Sequence, residues 1–348
     1  MAYNWYCTRE AMKRAVGIHG SEFDAVVDGY IESASREIDR LTHRRFIPLT
    51  ATKSYPWPQR DNPRGAVLYL GEDLLAVTSL TKDGDDATAI ASTDYFLEPS
   101  TLGPPYHKIE IDLASSAFFS NKDTHQRAIR IAGRWGYSED TVAAGALAEA
   151  DDGSETALDV TDASLIGVGD TILIGTEQMF VSAKGALDTT ANTAGALVAS
   201  MAETTVPVNT GSLVKAGEVI LIDSEKMLVE SISGNNLSVV RAYDGSTLAT
   251  HANPSDVYAY RTLTVVRAVN GTSAAAHDTA TAITRYVAPA DIVLLCKAMA
   301  IAERQGDRSG WTGQIGGEQG VQETRMVGLR EIRDRVVRTY KRHAVGAV

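Results

Sequence analysis

Residues 21–46 read SEFDAVVDGYIESASREIDRLTHRRF, and apolar side chains recur in them at Phe23, Val27, Tyr30, Ala34, Ile38 and Leu41, with Val26 and Ile31 alongside. Spacings of three and four predict one amphipathic helix with a single buried stripe. Ser21 stands at the expected N-cap, and Asp24 three residues later completes a capping-box pattern. Arg44 and Arg45 fall near the end, where cations suit the carbonyl end of a helix dipole, and Pro48 forbids continuation. By pattern alone this is a core helix of a soluble domain.

A shorter helix over 8–16 precedes it, with Thr8 as cap and Gly17 and Gly20 turning the chain. After it, Tyr55-Pro56-Trp57-Pro58 and Pro63 read as an extended loop, because each proline biases its predecessor away from helix. Strands are expected at 67–70, 75–82, 94–97, 108–111 and 128–135, forming a small antiparallel sheet beside the two helices. The stretch 143–154, AAGALAEADDGS, is small and acidic and reads as a linker.

Beyond it the sequence echoes itself. GDTILIGTEQMFV from Gly169 matches GEVILIDSEKMLV from Gly217, aligning Ile172 with Ile220, Glu177 with Glu225 and Met179 with Met227. LSVVRAYDGSTLATH from Leu237 matches LTVVRAVNGTSAAAH from Leu263, aligning Val239 with Val265, Arg241 with Arg267 and His251 with His277. The first halves follow one another, and then the second halves do. That order fits nesting, with a unit at 204–260 inserted into one built from 156–183 and 261–286, and it fits equally a run of first and second halves that exchange strands. Short strands and Gly, Asp and Asn turns make these all-β units, a barrel or a sandwich, with Ile172, Met179, Ile220, Met227, Val239 and Val265 as their core.

Helix resumes after Pro289, with Ile292, Val293, Leu295, Met299 and Ala302 on a buried face and Gly306 ending it. A glycine-rich loop at 309–320 leads to a last helix expected over 322–343. Its apolar stripe is Val327, Leu329, Ile332, Val336 and Tyr340, surrounded by Arg325, Arg330, Arg333, Arg335 and Arg338. Docking of this helix on a neighbouring protein is one reading of that pattern, and packing on its own domain is the other. The fold class is therefore α+β: a discontinuous core of 1–150 and 287–348, with a β module inserted at 151–286.

Composition limits the chemistry. The chain has 348 residues and a net charge of -11, and the segment 151–285 holds 16 acidic against 7 basic residues, so about -9 of the charge lies there. That balance argues against general nucleic-acid binding. Cys7 and Cys296 are the only cysteines, which suits a reducing compartment and leaves one disulfide open. No apolar run approaches the roughly 20 residues of a membrane span, and no secretory leader pattern opens the chain. There is no phosphate loop, zinc-peptidase motif or nucleophile elbow. Glu177 and Glu225, His251 and His277 are read as structural, and Asp83, Asp85 and Asp86 as a solvated turn without a calcium loop's spacing. No catalytic residue, metal or cofactor is expected.

The order TREAMKRAVGI (8–18), then EIDRLTHRRF (37–46), then strands, then RIAGRWGY (130–137), resembles the head–tail connector (adaptor) proteins of long-tailed bacteriophages. The resemblance covers about 3–140 and, less clearly, 286–345. It implies a virion protein of the neck, made in the host cytoplasm, that forms a ring of like copies, commonly twelve, between portal and tail. Its partners would be itself, the portal protein, a tail or stopper protein, and DNA passing without sequence-specific contact, with no membrane involved. The helices at 21–46 and 289–306 would build the ring body, the last helix would approach the portal, and the loop at 99–126 would face tail or lumen. The alternative is a carbohydrate- or surface-binding β module on a helical scaffold, with Trp57, Trp135 and Trp311 as stacking residues.

Overall fold

Thr8 Oγ1 accepts the amide of Ala11 at 3.2 Å and so starts the first helix, α1 (Arg9–Val16), which stops at Gly17 in the left-handed conformation with φ 63°. The computed structural model describes residues 4–59, 65–122, 124–308, 314–317, 320–323 and 328–342. The long helix α2 spans Asp24–Thr42. Ser21 does not cap it with its side chain: Phe23 holds the N-cap position, and Ser21 offers only its carbonyl to the Asp24 amide, 3.1 Å away. Asp24 faces Arg9 and Lys13 of α1 instead. Val27, Ile31, Ala34 and Ile38 are buried, and Tyr30 and Leu41 are partly so. Phe23 departs from the expected stripe at 52% exposure, because it precedes the first helical turn and lies off the covered face.

Two helices from the other end of the chain cover that face. α3 (Ala290–Arg308) runs through Gly306 instead of ending there, and α4 (Leu329–Tyr340) is shorter than expected. Met12, Ile31, Ile38, Ile292, Leu295 and Val336 belong to one apolar core. Phe46 sits at its edge, with the rings of Tyr6, Tyr137 and Tyr340 at 5.6, 5.5 and 5.4 Å. The stripe of α4 is thus spent on its own domain: Val336 and Tyr340 are buried there, and Leu329 and Ile332 pack against it.

A six-stranded antiparallel sheet follows α2. Its strands are β1 (Leu49–Tyr55), β2 (Val67–Lys82), β3 (Thr88–Ile90), β4 (Tyr95–Glu98), β5 (Tyr106–Ile111) and β6 (Ile129–Trp135), in the order β1-β6-β2-β5-β4 with β3 on β2. Two expected strands are one, β2, irregular between Tyr69 and Leu74 where it meets β5. Pairing with β6 over Leu49–Tyr55 makes β1 a strand that the sequence hid, since its alternation is weak beside the following prolines. The 99–126 segment is not a single loop, because β5 lies within it.

The second sheet has ten strands. They are β7 (Thr141–Ala146), β8 (Ala157–Asp159), β9 (Thr171–Ile174), β10 (Glu177–Asn192), β11 (Thr205–Pro207), β12 (Val219–Ile222), β13 (Glu225–Ser233), β14 (Asn236–Val240), β15 (Asp256–Val266) and β16 (Ala282–Tyr286). The path is open, β11-β14-β13-β12-β15-β10-β9-β16-β7, with β8 on β15, so the sheet is not a closed barrel. The first four residues of the expected linker belong to β7, paired with β16, and the β region therefore begins at Thr141. Low side-chain volume made 141–146 look unstructured, yet Ala144 and Leu147 are buried. β10 and β15 run beside each other from Phe180↔Val266 to Asn192↔Asp256 and pass under two separate apolar cores. A hairpin of β17 (Gln314–Gly317) and β18 (Gly320–Glu323) occupies part of the expected glycine loop and the expected start of the last helix. Arg325, Val327, Trp311 and Pro63 lie outside the described residues.

Truncation separates the two kinds of α2 position. Ile38→Ala, at a fully buried site, should cost about 2–5 kcal/mol, and Phe23→Ser about 0.5 kcal/mol or less, read from urea denaturation.

Candidate functional site

Glu225 and Glu177, the two carboxylates that the sequence aligns, begin β13 and β10 and are fully buried. Glu225 accepts Arg241 Nε at 2.7 Å and Nη2 at 2.8 Å, and the amides of Ala242 and Ala249 at 2.9 Å. His251 Nε2 lies 2.9 Å from the same carboxylate. Glu177 repeats the set with Arg267 at 3.1 and 2.7 Å, Ala268 and Ala275 at 3.0 Å, and His277 at 3.2 Å. Each carboxylate thus has five donors on its two oxygens, which leaves no lone pair facing a substrate. The arginines finish on carbonyls, Ala249 and Ala275, both at 2.8 Å or less. These are buried ionic staples that tie a strand start to a returning turn.

Burial alone would raise the Glu225 carboxyl. The donors from Arg241, His251, Ala249 and Ala242 outweigh it and hold its pKa at about 2. Glu177 is lowered for the same reasons.

The turns that follow the arginines reach the rest of the molecule. Ala242 and Asp244 are left-handed in one, and Ala268 and Asn270 in the other. Gly271 presses on β1 so closely that a β-carbon would overlap the Thr50 carbonyl. Gly245 meets Gly20 just ahead of α2, where a β-carbon would come within 2.9 Å of the Gly20 Cα. Asp244 accepts Lys13 at 2.6 Å and Lys226 at 2.9 Å, and Lys13 also donates to Asp24 at 2.7 Å. Arg45 donates to Asn270, and Gln178 to the Pro48 carbonyl at 3.2 Å.

Between α1 and the ten-stranded sheet these contacts leave a cavity of about 780 Å³. Trp5 closes one side, edge-on to Phe180 at 5.1 Å. Its wall is mixed in charge, with Glu10, Asp170 and Asp244 facing Lys13, Lys184 and Arg285. Burial pushes Asp170 up to about 6, opposed by the Gly167 amide and by Arg285 at 3.8 Å. Among the described residues no group of three His, Cys, Asp or Glu is placed to hold a metal ion, and no helix is long and apolar enough to cross a membrane.

The remaining expected site residues are scattered. Ile172, Met179 and Val265 lie in one β core, and Ile220, Met227 and Val239 in the other. Trp57 and Trp135 are buried under the six-stranded sheet at 5% and 2% exposure, so neither offers a face for sugar stacking. On α4, Arg330, Arg333 and Arg338 point outward, Arg330 at 86% side-chain exposure. Sequence reasoning missed Asp73, buried in β2 and paired with Arg44 at 2.7 Å and Arg342 at 3.4 Å across three distant segments. It also missed Glu218, held by Arg261 at 2.6 and 2.7 Å. Comparison of the chain with protein-family models, curated proteins and solved structures finds no match.

Glu225→Gln leaves a buried guanidinium without its charge partner and should cost about 3–5 kcal/mol. The Glu225 carboxyl titrates lower folded than unfolded, so its stabilisation is complete above the ordinary value of 4.5 and fades as pH falls through about 2. Urea midpoints measured from pH 7 to 2 should fall more steeply for the wild type than for Glu225→Gln.

Proposed function

We propose that this chain is a structural assembly subunit of the head–tail connector kind. Copies would close into a ring, about twelve by the family's habit, at the neck of a virion between portal and tail, with DNA passing through the lumen. The observation that carries the reading is the helical body. Helices from both ends, separated by more than 240 residues, close around one apolar core, in the order that the resemblance implies. What remains outside that core suits assembly better than catalysis. α4 shows arginines on its free face, and apolar side chains stand exposed beside the six-stranded sheet, Leu102 at 84% and Leu113 at 86%. A head-to-tail ring needs two different faces of this sort on every subunit. In this reading α4 turns its cations to the portal, which sets orientation more than affinity, and the segment around Leu102 and Leu113 meets the tail side or the lumen.

The β region is read as two copies of one unit, the second nested in the first, and as an outward addition to the ring. The matching pairings support this: β8-β15-β10-β9-β16-β7 corresponds in order to β11-β14-β13-β12-β15-β10. The two Glu–Arg–His sets fall at equivalent places in the two runs.

Native mass spectrometry and electron microscopy of the purified protein over a range of concentrations test the assembly reading. Rings of uniform size are expected, alone or with a portal protein. Arg330→Glu with Arg338→Glu should weaken portal capture at least tenfold while leaving the fold intact, since both side chains face solvent. A strict monomer that is also missing from virus particles would sink the proposal.

A further inference from the structure

Cys7 and Cys296 stand 289 positions apart, yet their sulfurs lie 3.7 Å from each other. Both are free thiols and both are buried. Cys7 lies just ahead of α1 and Cys296 midway along α3, so the pair spans the two ends of the discontinuous body. Ser35 Oγ of α2 is 3.5 Å from the Cys296 sulfur. A disulfide bond needs about 2.05 Å between the sulfurs, so closing the gap takes about 1.7 Å. The core around the pair is not sealed. Cys7 is 7% exposed and forms part of the wall of the 780 Å³ cavity, whereas Cys296 is fully buried, so the cavity is the side from which a small neutral solute meets the pair.

We propose that Cys7 and Cys296 are a modification site, an oxidisable pair that a hydroperoxide converts to one internal disulfide. The product staples the segment before α1 to α3. The chemistry uses the pair as found. Contacts with Cys7 and with Ser35 hold the Cys296 thiol below its usual range against the cost of burial, while the contact with Cys296 and burial push the Cys7 thiol up, so Cys7 enters the reaction with its proton on. The Cys7 sulfur attacks one peroxide oxygen: an S–O bond forms, the O–O bond breaks, and the departing oxygen carries off the Cys7 proton. The Cys296 sulfur then displaces hydroxyl from Cys7, forming S–S and breaking S–O, and its proton departs with the hydroxyl as water. Two electrons pass from the two sulfurs to the peroxide, which is reduced.

The staple would close almost the whole chain into one loop. Long loops gain the most from cross-linking in the chain-entropy picture. The site does not depend on the ring reading, because the pair lies within one subunit.

The test uses the full chain and hydrogen peroxide as oxidant. Treated wild type should lose both free thiols and about 2 Da, should yield a Cys7–Cys296 linked peptide on non-reducing digestion, and should melt about 5 °C or more higher. Dithiothreitol should reverse all three changes. Cys7→Ser, at the cavity edge, should fold like the reduced wild type and show no rise in Tm with peroxide. Thiols that stay free, that over-oxidise separately, or that join two chains on a non-reducing gel overturn the proposal. So does a linked peptide with no change in Tm.

Discussion

One apolar core made from both ends of the chain is the constraint on which the rest depends. α2 is amphipathic and cannot hold its stripe in water alone. Its cover comes from α3 and α4, which the chain reaches only after both sheets are built. The hydrophobic gain from that core must therefore repay the entropy of closing a very long loop. The aromatic group around Phe46 shows how the closure is fixed. Tyr6 precedes α1, Tyr137 leaves the first sheet and Tyr340 ends α4, and all three rings meet the same side chain.

Loop closure of that length is tolerable because the intervening segment is rigid. β10 and β15 cross the whole ten-stranded sheet side by side, so its two apolar cores share a backbone. The sheet leaves the body through β7 and returns through β16, and those two strands pair with each other. Entry and exit are thus held together by strand hydrogen bonds. The turns at Gly245 and Gly271 add two further points of contact with the body.

Buried charge fixes the geometry of these turns. An isolated buried carboxylate is costly, so Glu177 and Glu225 are tolerable only with every donor in place. Their five-donor sets permit one arrangement of strand start and returning turn, which is a specificity device more than a source of stability. Asp73 does the same where Arg44 of the α2 terminus and Arg342 after α4 converge. By contrast Arg330 and Arg333 of α4 meet Asp334 at the exposed surface, where a pair fixes little.

Local pattern by itself placed the helices, though not the ends of α3 and α4, and the buried positions of the aligned β segments. Val27, Ala34 and Ile38, and Ile172, Met179, Ile220, Met227, Val239 and Val265, are buried as their spacing required, because period and side-chain volume act over a few residues. The start of α2, the strand character of 49–55 and 141–146, and the burial of Trp57 and Trp135 were not legible. Each depends on a partner far along the chain: Arg9 and Lys13 for Asp24, β6 for β1, β16 for β7, and the first sheet's core for the two tryptophans. The same holds for the two cysteines, whose 3.7 Å separation no spacing could announce. Tertiary structure decided these, because burial and charge pairing are properties of the neighbours a folded chain brings together and not of the order in which its residues are written.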